Sequence, residues 1–119
     1  MTRPVVVQFI NDAANELERL NQVVGEEVKK GTTNSENHQL LKSIQQKIEL
    51  LKANPTYGAA VPKRLIPKDL PIDNLWVVDL TGYWRMLYTL KGEAVQILCI
   101  VLQIVDHKKY DKFFGYKKK

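Results

Sequence analysis

The 119 residues predict a single α+β domain: an N-terminal strand, an αα-hairpin packed on a small, mainly antiparallel sheet, and a short basic C-terminal segment. Three observations lead there. In the first half, apolar residues recur every three to four positions in two separate stretches, the spacing of a buried helix stripe. In the second half, three apolar or β-branched runs are separated by short turn signals, the pattern of successive strands. The length, with 45% hydrophobic and 26% charged residues, suits one ordinary globular core spanning residues 1–119.

The elements follow in order. Val5 to Ile10, after Pro4, is a β-branched run and reads as a short strand. From Asp12 to Lys30, Ala13, Leu17, Leu20, Val24 and Val28 form a helical stripe; Asn11 or Asp12 can cap its start and Gly31 can end it. Ser35 reads as the N-cap of a second helix with Leu40, Leu41, Ile44, Ile48 and Leu51 on one face, and Asn54-Pro55 stops it. The proline-rich stretch from Tyr57 to Pro71 reads as loop, with a short strand near Leu65. Leu75 to Leu80 is a strand, Thr81-Gly82 a tight turn, Tyr83 to Leu90 a strand and Lys91-Gly92-Glu93 a second turn. Val95 to Val105 is nearly all apolar, as expected of a central strand covered on both faces. His107 to Phe114 closes as a short helix or turn, and residues 117–119 as a disordered basic tail.

Several classes are excluded or disfavoured. One cysteine, Cys99, allows no intrachain disulfide and fits a reducing compartment; in so apolar a strand it reads as an inert core residue. No apolar run is long enough to span a bilayer, and the N-terminal apolar run is too short for a secretory signal, so a cytoplasmic protein without a membrane partner is expected. His38 and His107 with one cysteine make no metal-ligand spacing, and no phosphate-loop, dinucleotide or zinc-protease motif occurs. No cofactor or metal is expected.

The charge is +5 and uneven. Residues 1–50 carry six basic and seven acidic side chains; residues 51–119 carry twelve and six. From His107 to the end there are six lysines and one acid, Asp111. A basic segment of this kind suits a polyanion such as RNA or DNA, and is equally what a solvated tail looks like.

The order strand, helical hairpin, meander, together with three local stretches, resembles the RelE/ParE superfamily of toxins from toxin–antitoxin systems. The stretch from Asn54-Pro55 through Leu65 resembles that family's "P…G.P..L" passage between helix and sheet. Trp84-Arg85-Met86-Leu87-Tyr88 resembles its "YR-hydrophobic-hydrophobic-Y" hairpin, with Arg85 as the arginine and Tyr88 as the closing tyrosine. IVDHKKYDKFFGY, from Ile104, is similar to its "HR…Y" ending. The chain departs from the pattern in having Trp84 before the arginine, Lys108 where an arginine is frequent, and both Tyr110 and Tyr116 where one tyrosine is expected. The resemblance implies a RelE-like, metal-independent endoribonuclease acting on mRNA at the ribosome, and a cognate antitoxin that wraps it. It also covers non-catalytic relatives: ParE-like gyrase inhibitors and inactive homologues.

Metal-free RNA cleavage needs a base for the ribose 2′-OH, a cation for the charge building on phosphorus, and an acid for the leaving 5′-oxygen. The candidates for catalysis are Arg85, His107 and Tyr110; for phosphate binding they are Lys63, Arg64, Lys108, Lys109 and Lys112. Each has a plainer use. Arg85 can pair with Asp79 across the Thr81-Gly82 hairpin, His107 can cap a helix, Tyr110 can pack under the tail, and Lys63-Arg64 can be a solvated pair. Period-two alternation puts Arg85 on one face with Tyr83, Leu87 and Thr89, opposite Trp84, Met86 and Tyr88. Trp76, Trp84, Phe9, Phe113 and Phe114 read as core or interface.

Overall fold

Apolar stripes on two helices need a common partner, and in the computed structural model, which describes residues 3–115, they find it on one face of a sheet. Strand β1 (Val5–Phe9) leads into α1 (Asn11–Lys29) and α2 (Glu36–Ala53). Then come β2 (Ala59–Ala60), β3 (Trp76–Asp79), β4 (Arg85–Gly92), β5 (Ile97–Val105) and a final helix, α3 (His107–Phe113). Tyr116 and Lys117 to Lys119 lie outside the described residues.

The hairpin is built as its sequence suggests. Gly31, at φ +86°, ends α1 in a Schellman motif: its N–H donates to the carbonyl of Val28, and that of Thr32 to Glu27. Ser35 Oγ accepts the His38 N–H at 3.0 Å, capping α2, and donates to Glu27 Oε1 at 2.7 Å, tying the two helices together. The start of α1 differs from expectation. Neither Asn11 nor Asp12 caps it; Ile10 occupies that position without a side-chain bond, and Asn11 has φ +49°. The reason lies in the preceding strand: the Ile10 N–H still bonds the Val101 carbonyl, so the chain must turn from strand to helix within one residue.

The sheet runs β1-β5-β4-β3-β2. The meander is antiparallel, as expected, but β1 lies parallel to β5, from Val5 opposite Ile97 to Phe9 opposite Val101, so the sheet is mixed. β5, the most apolar strand, therefore has a neighbour on each side. On the helix face, Leu20, Ile44, Leu51, Met86, Tyr88, Cys99 and Val101 are fully buried in one cluster. Burying each large side chain contributes ~1.5–3 kcal/mol. Tyr88 sits centrally there, its ring stacked on Trp76 and its hydroxyl donating to the Pro55 carbonyl (2.8 Å) while accepting the Gly58 N–H (3.0 Å). A Cβ at Gly58 would come within 2.7 Å of the Val77 carbonyl oxygen, so only glycine lets the loop approach so closely.

The opposite face carries a second cluster: Leu75, Leu87 and Val105, covered by Val61, Ile66 and Ile72 from the loop and Tyr110, Phe113 and Phe114 from the C-terminal segment. A β-bulge makes this possible. Leu87 pairs with Gln103 but Tyr88 with Val101, leaving Leu102 unpaired. Alternation is reset there, so Cys99, Val101 and Ile104 all join the helix-side core while Leu102 and Val105 join the other.

Three further boundaries differ from the sequence reading. The short strand is Ala59–Ala60, pairing with Val77 and Trp76, and Lys63–Leu65 is a 3-10 turn that starts after Pro62. Tyr83 is not in β4: Gly82 and Tyr83 both take left-handed backbone (φ +64° and +65°), so the strand begins at Arg85. Lys91 and Gly92 continue that strand, and the turn lies beyond them, closed by the Glu93 N–H on the Gln96 carbonyl.

Candidate functional site

The β3–β4 turn and the β5–α3 junction meet where β4 begins and β5 ends, with Tyr83 against His107. The turn also rests on α2, where the Thr81 N–H donates to Ser43 Oγ at 3.2 Å. Arg85 opens β4, its Cα opposite Asp79 of β3 and Val105 of β5. Its Nε lies 3.3 Å from Asp79 Oδ1. Asp79 is 85% exposed and Arg85 39%, so solvent screens this pair and it contributes little to stability. The guanidinium carbon sits 4.4 Å from the centroid of the Tyr110 ring, within cation–π range. Tyr110 is itself held by Phe114, at 4.8 Å between ring centroids, and by the Leu75, Leu87 and Val105 cluster.

Arg85 is thus fixed by a carboxylate at one nitrogen and an aromatic face beneath. Neither Nη makes a hydrogen bond to the described residues. A planar cation held this way can direct its fork of donors at a phosphate. The pairing with Asp79 and an open site therefore coexist.

His107 is the first residue of α3 and is exposed. Asp106 caps the helix, accepting the Lys109 N–H at 2.9 Å, and so sets where His107 sits. The imidazole stands edge-on to the Tyr83 ring, 6.5 Å between centroids at 73°. Tyr83 links the two halves of the site, since it also lines a shallow depression of about 350 Å³ with Asp79, Leu80, Gly82, Trp84 and Arg85. The three residues singled out for catalysis thus fall at one place: Arg85 on Tyr110, and His107 beside the turn that leads to Arg85.

The lysines are more dispersed. Lys108 follows His107 on the exposed start of α3. Lys109 and Lys112 line a separate groove of about 550 Å³ beside α1 and the end of β5, with Asp12, Glu16, Arg19 and Phe113. That groove is of mixed charge: Glu16 pairs with Arg19, and Asp12 accepts from Gln103 Nε2 at 3.2 Å. Lys63 and Arg64 are exposed on the 3-10 turn, whose flanking residues Val61 and Ile66 pack in the same cluster as Tyr110. The turn therefore overlies the same sheet face as Arg85.

Sequence reasoning missed Tyr83, which it placed in a strand. The adjacent Gly82 was the only signal available, and a left-handed tyrosine is too uncommon to expect from sequence. The two strongly moved pKa values lie elsewhere, in the helix-side core: burial pushes the Tyr88 phenol and the Cys99 thiol each up to about 12.

No protein-family model matches the chain, and no curated protein matches it in sequence. Among solved structures, the fold is similar to a YoeB/ParE toxin from Agrobacterium tumefaciens, with a TM-score of 0.54 and 15% identity over 85% of this chain and 96% of that one. At this identity the likeness is one of fold. It bears out the α+β class: the three helices and mixed five-stranded sheet of this chain are consistent with the fold of that toxin. No described helix is long and apolar enough to cross a membrane.

Proposed function

We propose that this chain is the toxin of a toxin–antitoxin pair: a RelE-like, metal-independent endoribonuclease that cleaves mRNA at the ribosome, in the cytoplasm. The observation that carries the proposal is the Arg85 guanidinium, stacked on Tyr110 with both Nη groups turned to no described partner, while His107 stands against Tyr83 of the turn that leads to Arg85. The toxin fold and the basic second half of the chain support it.

In this reading the ribose 2′-OH attacks the adjacent phosphorus, forming a 2′-O–P bond as the P–O5′ bond breaks. Arg85 donates to the non-bridging oxygens, where charge builds in the transition state. His107 carries a proton between the 2′-OH and the leaving 5′-oxygen side of the reaction. Tyr110 keeps the guanidinium in place. Lys63, Arg64 and Lys108 meet neighbouring phosphates, and Lys109 and Lys112 meet the RNA further from the cut. The cognate antitoxin silences the protein by covering the Arg85 face.

Inducible expression followed by primer extension on cellular mRNA tests this. The wild-type chain is expected to arrest growth and leave cuts within codons. Arg85→Ala and His107→Ala are expected to lose both while keeping the far-UV circular dichroism of the wild type, with cleavage down roughly 10²–10³-fold for the arginine. Full toxicity in both variants overturns the site; intact mRNA with DNA damage overturns the ribonuclease.

A further inference from the structure

Tyr83 is the most exposed large apolar side chain among the described residues, at 84%. It is also strained. A non-glycine residue at φ +65° pays for a left-handed backbone, and such outliers cluster at functional sites. The hairpin enforces this posture: the Leu80 N–H donates to the Trp84 carbonyl at 2.8 Å, closing the turn around Thr81, Gly82 and Tyr83. Trp84 turns inward to pack on the helix-side core, and Tyr83 is left pointing away from it. Among the described residues its ring makes one aromatic contact, edge-on with His107, which leaves a π-face available beside the Arg85 depression.

We infer that Tyr83 is the base-stacking platform of the site, receiving an unpaired nucleobase of the RNA next to the phosphate held by Arg85. The inference rests on the ribonuclease reading. Stacking on an aromatic face suits any base, because every base has a π-face, and it suits single strands, whose bases can splay out. The surroundings favour a nucleotide over an apolar protein surface. The depression around Tyr83 joins the Arg85 cation, which is half exposed and already paired on one side with Asp79, to the apolar Leu80 and Trp84. The other exposed large apolar residues, Val28, Leu50, Tyr57 and Val95 among them, do not extend it into an apolar patch. A phosphate-binding cation and an aromatic plane two residues apart in sequence match the two chemical halves of one nucleotide.

The test is single-turnover cleavage on ribosomes programmed with an mRNA whose target codon is intact or lacks one base, each position in turn. Removing the stacked base is expected to slow the wild-type chain about five- to a hundredfold at one position. Tyr83→Ala is expected to slow the intact message by a similar factor, and the abasic message no further, because the two changes remove one interaction. Tyr83→Phe, which keeps the ring, is expected to behave as wild type. Tyr83→Ala cutting as fast as wild type, or losses that multiply, overturns the stacking role while the ribonuclease reading stands. No cleavage by the wild-type chain at any codon overturns that reading and this inference with it.

Discussion

The two faces of the sheet are built differently. On the helix side, fully buried residues from two helices and three strands interlock, and even the one buried phenol is satisfied, bridging Pro55 and Gly58. On the other side the buried apolar cluster among the described residues is just Leu75, Leu87 and Val105, under half-covered loop and α3 residues. There an arginine, a histidine and a strained tyrosine lie open. The division separates tasks: one face supplies the stability that lets the other hold polar and exposed groups in place. The site lies on the thin side, where donors can still reach a ligand.

The sharpest way to break this comparison is to cut into each face. Ile44→Ala, from full burial, is expected to cost about 2–5 kcal/mol in urea denaturation. Ile72→Ala, from the half-buried loop, is expected to cost less than half as much. Equal losses would erase the distinction. Next comes Tyr88→Phe, which strips the bridge from the Gly58 N–H and the Pro55 carbonyl and is expected to cost ~1–3 kcal/mol. It also sharpens the pH behaviour. Tyr88 and Cys99 hold their protons more tightly folded than unfolded, with pKa values near 12 against ordinary values of 10.0 and 9.0. Their contribution is therefore complete below about pH 9 and lost as pH rises towards 12. Denaturation midpoints between pH 8 and 11.5 are expected to fall less steeply in Tyr88→Phe than in wild type. The smallest effect has the opposite sign. Tyr83→Gly relieves the left-handed backbone and is expected to gain ~0.5–1 kcal/mol, visible as a raised Tm, while cleavage falls.

The helices, the Ser35 cap and the central β5 were legible because burial periodicity and capping are local properties. Arg85 was legible too, along with its pairing to Asp79, since both follow from strand alternation across a short turn. What escaped were features set by distant parts of the chain. The uncapped start of α1 depends on Ile10 bonding Val101, and the parallel β1–β5 pair on the meander leaving one side of β5 free. The bulge at Leu102 depends on two faces wanting apolar residues out of step. Within the site, the Arg85–Tyr110 stack joins a strand to the helix after it, a contact that no spacing rule anticipates.

The parallel pairing of β1 with β5 bears on how the protein is made. The first strand finds its only hydrogen-bonded neighbour in the last, so the sheet cannot close while the ribosome is still adding β5. Until then the helical hairpin has no finished surface to cover, and Arg85 has no Tyr110 beneath it, because α3 is synthesised later still. A growing chain therefore carries Arg85 without its assembled site until both β5 and α3 have been added.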